Sequence, residues 1–144
     1  MTIKTLFCFL AIVVAPIEIV AQERAYQVVV NVANPVSRLS RAEVSRIFLK
    51  RQPSWKHGGS ILPVDLERSS KARIAFTTDV HSRSMNAIGT FWQQQIFAGK
   101  QVPPPEKSKD EDILNHVRSN PNAIGYVSVG TALGSGVKVV TLTQ

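Results

Sequence analysis

Four consecutive residues, Arg68-Ser69-Ser70-Lys71, carry the chemistry that stands out in this chain. A guanidinium, two hydroxyls and an ammonium lie within one turn of backbone. Before them runs Ile61-Leu62-Pro63-Val64, an apolar stretch that reads as a buried strand; after them Arg73-Ile74-Ala75-Phe76 reads as a helix. A strand that feeds a helix through serines leaves the first N–H groups of that helix without intrahelical acceptors, and the positive end of the helix dipole stands behind them. With two cations added, this is the chemistry of a small-anion site. The same residues have a plainer reading, in which Ser69 or Ser70 is only the N-cap and the cations are solvated.

The surrounding chain must position that turn. At 144 residues it is one domain. Residues 1–21 read as a secretory signal peptide: Lys4 supplies a thin positive start, residues 5–16 are almost wholly apolar, and Ile19-Val20-Ala21 offers a cleavage site ahead of Gln22. An uncleaved anchor is the other reading, although Pro16 and Glu18 interrupt the end of a run already short for a membrane span. The one cysteine, Cys8, falls in this leader. The domain at 22–144 therefore has no disulfide and no thiolate. The expected location is the periplasm. The net charge is +7, with cations spread from Arg24 to Lys138, a surface suited to anionic partners. Export argues against nucleic acid among them. What remains after the leader can bury one core, not two lobes with a cleft between them.

In order, Tyr26 to Asn31 predicts a strand, ended by Asn34-Pro35. Ser40 and Glu43 form a capping box, so a helix begins at Arg41, with Val44, Ile47 and Phe48 on its inner face, and ends near Leu49–Lys50. Gln52 to Ser60 is a turn-rich loop. The strand at 61–65 and a helix at about 71–80 follow. A further helix starts near Ser84, with Met85, Ile88, Trp92 and Ile96 on one stripe and Gly99 as its C-cap. Pro103-Pro104-Pro105 is an extended connector. Ser108 and Glu111 suggest a second capping box, opening a helix with Ile113, Leu114 and Val117 inward, stopped by Asn120-Pro121. Ala123 to Val129 and Val137 to Leu142 are the last strands. This alternation predicts an α/β sheet domain with helices packed on it.

Other constellations are weak. His57, His81 and His116 lack metal-ligand spacing, so no metal or other cofactor is expected. Asp110, Glu111 and Asp112 suit the first turn of a helix through its dipole. No nucleophile elbow appears, and neither does any nucleic-acid module. Trp55 and Trp92 read as core. An enzyme is not expected, because no acid–base or nucleophile set is visible.

Several segments in the same order resemble phosphate-type substrate-binding proteins of ABC transporters. Leu39 to Lys50, followed by Trp55, is similar to that family's LS-x-x-E-x-x-x-IF-x-G-K…W segment. Ile61-Leu62-Pro63-Val64 with Arg68 sits where the family has a strand and a binding arginine. Phe91-Trp92, Phe97 and Gly99-Lys100 resemble a W…F-x-G stretch, and Pro121-Asn122-Ala123-Ile124-Gly125-Tyr126-Val127 resembles PGAIGYV. The resemblance spans about residues 27–130. It implies a single lobe of the type II periplasmic-binding-protein fold, a sheet flanked by helices. It also implies a small oxyanion such as phosphate as ligand, held by Arg68 with hydroxyls from Ser69 and Ser70 and charge from Lys71, and a membrane transporter or sensor as partner. The family's loop reads Arg-Ser-x-Gly-Ser-Gly-Thr, whereas residues 68–74 here lack both glycines and the threonine. Since glycines let backbone approach an anion closely, weak capture is expected. The alternative is an interaction protein that keeps the fold without the ligand, engaging its partner through a basic face or a sheet edge.

Overall fold

The computed structural model describes residues 24–144, and the expected leader at 1–21 lies outside the described residues. β1 (Tyr26–Asn31) is built from a Val-rich run whose branched side chains suit a pleated, covered surface. The chain turns at Asn31 and Asn34. Their side-chain oxygens accept the N–H groups of Ala33 and Val36, so local hydrogen bonds replace the strand ladder. β2 (Arg38–Ser40) leads directly into α1 (Arg41–Phe48), and the loop after it reaches β3 (Leu62–Pro63) and β4 (Asp65–Leu66). α2 (Lys71–His81) and α3 (Met85–Phe97) follow; then come β5 (Glu106–Lys107), α4 (Asp110–Ser119), β6 (Ala123–Ser128), β7 (Val137–Val139) and β8 (Thr141–Thr143).

The central sheet has the order β3-β6-β1-β7. β1 runs antiparallel to both β6 and β7, and β3 runs parallel to β6. Two short parallel pairs, β2 with β8 and β4 with β5, tie the connections down. Because successive side chains alternate across a strand, each sheet face collects its own set. On one face Tyr26 and Tyr126 meet Phe48 of α1 and Phe76 of α2, the rings of Phe76 and Tyr126 stacking at 3.9 Å. On the other, α4 comes close enough that a β-carbon on Gly125 would stand 2.7 Å from Cγ2 of Ile113. The side-chain amide of Asn31 donates to the last carbonyls of α4, at Val117 and Arg118, both at 3.0 Å. The result is an α/β layered domain with helices on both sheet faces.

The expected elements are present, with corrections in detail. The Ser108/Glu111 box does not form: the N-cap of α4 is Lys109, with no side-chain cap bond. Instead the Asp110 carboxylate accepts from the N–H of Ser128 and the hydroxyl of Thr131, linking the helix start to the end of β6. The runs expected as single strands at 61–65 and 137–142 each divide between two sheets, and β2 and β5 are too short for periodicity to mark. In α3, Ile88 and Trp92 are buried with Leu49 in a small cluster separate from the main core, but Ile96 is 51% exposed and Phe97 89% exposed. Gly99 serves α3 one position later than expected. Ala98 is the C-cap, and Gly99 follows at φ +65 while the N–H groups of Gly99 and Lys100 return to the carbonyls of Ile96 and Gln95. No helix among the described residues is long and apolar enough to cross a membrane.

Candidate oxyanion site at the start of α2

The turn before α2 is closed by backbone: Ser70 N–H donates to the carbonyl of Glu67 at 3.1 Å. Ser70 is the N-cap in extended conformation, and its Oγ accepts from the N–H of Arg73 at 3.3 Å. The N–H groups of Lys71 and Ala72 find no acceptor among the described residues. These are the donors that a helix start leaves for an anion.

The four expected site residues are disposed differently. Ser70 and Lys71 lie at the helix start itself. The Ser69 hydroxyl donates to Glu67 Oε1 at 3.0 Å, on the surface. Arg68 crosses to α3, where its Nη2 donates to the carbonyl of Met85 over a long 3.4 Å; its Nη1 lies 2.9 Å from where a β-carbon on Gly89 would stand. The absence of a side chain at Gly89 is what lets the guanidinium rest there. This contact is exposed, so Arg68 can leave it for a ligand at little cost.

The helix start is anchored from beneath by residues that sequence patterns do not reveal. Arg73 is buried; its Nη1 donates to the carbonyl of Leu66 at 2.7 Å and faces Asp65 Oδ1 at 3.0 Å. Tyr126 completes the arrangement, donating to Asp65 Oδ1 at 2.7 Å and accepting from the Leu66 N–H at 3.3 Å. Burial pushes the Asp65 carboxyl up to about 6, with the Arg73 charge and the Tyr126 hydrogen bond holding against it. Burial likewise raises the Tyr126 hydroxyl well above its usual range, so it remains a neutral donor. A basic residue on the inner face of a helix was the one available signal for Arg73, but its partner eight positions away across a strand and a turn follows no local period. Since Asp65 already balances Arg73, the charge open to an anion comes from Arg68, Lys71 and the helix dipole.

The histidines stand apart. His81 Nδ1 and Ser45 Oγ share a hydrogen bond of 2.8 Å between α2 and α1, and His57 stacks on Trp55. No group of three or more metal-ligating side chains forms among the described residues.

No protein-family model matches the chain, and no curated protein does. Solved structures match its fold. An ABC-type phosphate transport receptor from Vibrio cholerae is 23% identical, with a TM-score of 0.65 over 82% of this chain and 46% of that one. A Clostridium perfringens structure, described as a phosphate ABC transporter substrate-binding protein with bound phosphate, is 23% identical at a TM-score of 0.64, covering 82% of this chain and 44% of that one. PstS from Borrelia burgdorferi is 13% identical at 0.61, over 83% and 47%. The chain spans less than half the length of these structures. It has the fold of one part of a phosphate-type substrate-binding protein.

Proposed function

We propose that this chain is an exported, non-enzymatic binding module of the periplasm that holds phosphate or a related oxyanion weakly at the start of α2, serving a membrane transporter or sensor. The observation that carries this reading is the pair of unaccepted N–H groups at Lys71 and Ala72, on a fold shared with a phosphate-bound structure. Ser70 shapes the turn, Lys71 adds charge, and Arg68 swings from Met85 to supply a charge-assisted hydrogen bond. Ser69 exchanges Glu67 for the ligand. Without glycines in the loop, the affinity falls in the micromolar to millimolar range, about −8 to −4 kcal/mol.

Calorimetric titration with phosphate at fixed ionic strength tests this. Arg68→Ala weakens binding by about one to two decades, the worth of a hydrogen bond from a charged donor. Arg68→Lys recovers only part, because an ammonium cannot offer two parallel donors. Equal affinities for wild type and Arg68→Ala, or no binding by either at millimolar phosphate, would remove the oxyanion reading. The reading left would be an interaction module, which the exposed Phe97 and Ile96 at the end of α3 favour. Export is tested separately: mass spectrometry of secreted protein gives Gln22 as the first residue, and an intact Met1 on membrane-bound protein would sink it.

A further inference from the structure

A groove of about 910 Å³ runs along the outer face of α2, between that helix, the start of β1 and the start of α1. One end is cationic. Asp79 Oδ1 faces Arg41 Nε at 3.0 Å, and its Oδ2 faces Arg24 Nε at 3.5 Å while accepting from the Tyr26 hydroxyl at 2.6 Å. One carboxylate thus holds two guanidiniums side by side and cannot neutralise both. Among the described residues the buried Arg41 Nε has no hydrogen-bond partner, so its contact with Asp79 is an ion pair only. Burial and the Asp79 hydrogen bond raise the Tyr26 hydroxyl, which remains a neutral clip for that carboxylate. Between the ends, Ile74, 47% exposed, and Ala75 give the groove an apolar stretch of lining. Lys71 stands at the far end, two helical turns and about 12 Å from Asp79 at 1.5 Å per residue.

We propose that this groove seats a soluble amphiphilic anion, its oxyanion head between Arg24 and Arg41 and its apolar chain along Ile74 and Ala75. Two guanidiniums against one carboxylate leave that end net positive and favour a negative head. The exposed Ile74 and the groove's volume favour a body far larger than a bare oxyanion. The site shares only Lys71 with the start of α2 and does not depend on phosphate being bound there.

Octyl phosphate below its micelle concentration is the probe, titrated into the purified protein beside inorganic phosphate and octanol. Each buried methylene adds about four-fold in affinity, so octyl phosphate should bind at least about ten-fold tighter than phosphate. Arg24→Gln and Ile74→Asp should each weaken it by about ten-fold or more, through the head and the chain respectively, with circular dichroism unchanged. Arg68→Ala should leave octyl phosphate binding intact while it weakens phosphate binding, so the two sites fail separately. Octyl phosphate and phosphate binding equally, octanol binding as well as octyl phosphate, or both groove variants binding as wild type would overturn the proposal. So would adsorption to phosphatidylglycerol vesicles that Ile74→Asp leaves unchanged, without binding of soluble octyl phosphate; that result would assign the charge to a lipid surface.

Discussion

Asp65 and Arg73 face each other at 3.0 Å inside the domain, the one on β4 and the other in the first turn of α2. Their pairing ties the first turn of the helix to β4. Breaking such a pair leaves a buried charge without a partner. Arg73→Met should therefore destabilise the fold by about 3–5 kcal/mol, and adding Asp65→Asn should recover a large part. Urea denaturation of the two variants checks this. A midpoint unchanged in Arg73→Met would mean that Asp65 is balanced by Tyr126 alone.

His81 is the acid-sensitive group between α1 and α2. Burial, with Arg73 and then Arg83 nearby, lowers it from 6.5 to about 4. The unfolded chain then binds a proton that the folded chain refuses, so stability present above pH 6.5 is lost as pH falls toward 4. Asp65, raised from 3.8 to about 6, takes up a proton in the folded chain over nearly the same range and offsets this loss, so His81→Asn should leave a profile in which stability rises as pH falls from 6 toward 4. A profile with the same slope in the variant would place the acid response elsewhere. Glu43 acts lower: hydrogen bonds from Lys56 and the Ser40 N–H hold it at about 2, so its contribution is lost only below pH 4.5.

The capping box of α1 is complete. Ser40 Oγ accepts the Glu43 N–H at 3.1 Å, and Glu43 Oε2 accepts the Ser40 N–H at 2.9 Å. Ser40→Ala should cost about 1 kcal/mol. A denaturant midpoint within error of wild type would argue that Glu43 holds the helix start without its partner.

Gly125 lets α4 lie against β6. A methyl there would stand 2.7 Å from Ile113 Cγ2 and 3.0 Å from Val64 Cγ1. Both neighbours are fully buried, so neither can yield freely. Gly125→Ala should destabilise by about 1–3 kcal/mol, read by thermal or urea unfolding. No loss of stability would show that α4 can shift outward.

Local chemistry was enough to mark the framework. The Val-rich run of β1, the Ser40–Glu43 box, the inner stripe of α1 and the serine before α2 are each decided within a few residues, and each stands where the sequence predicts. Tertiary packing decided what lies between such segments. Ser108 loses the start of α4 because the Asp110 carboxylate satisfies Ser128 and Thr131 across the fold. Ile96 keeps the helical period of Ile88 and Trp92, but period specifies a direction and not whether a neighbour covers it; the small cluster with Leu49 ends before the last turn of α3. The run at 137–142 divides because Val139 pairs with Val29 in the central sheet while Leu142 pairs with Leu39 beside it. The ring of Tyr26, Asp79, Arg24 and Arg41 joins residues far apart in the chain, and the Asp65–Arg73 pair spans a strand and a turn with no local period. Electrostatic partners are chosen by distance in space, and only the folded chain sets that distance.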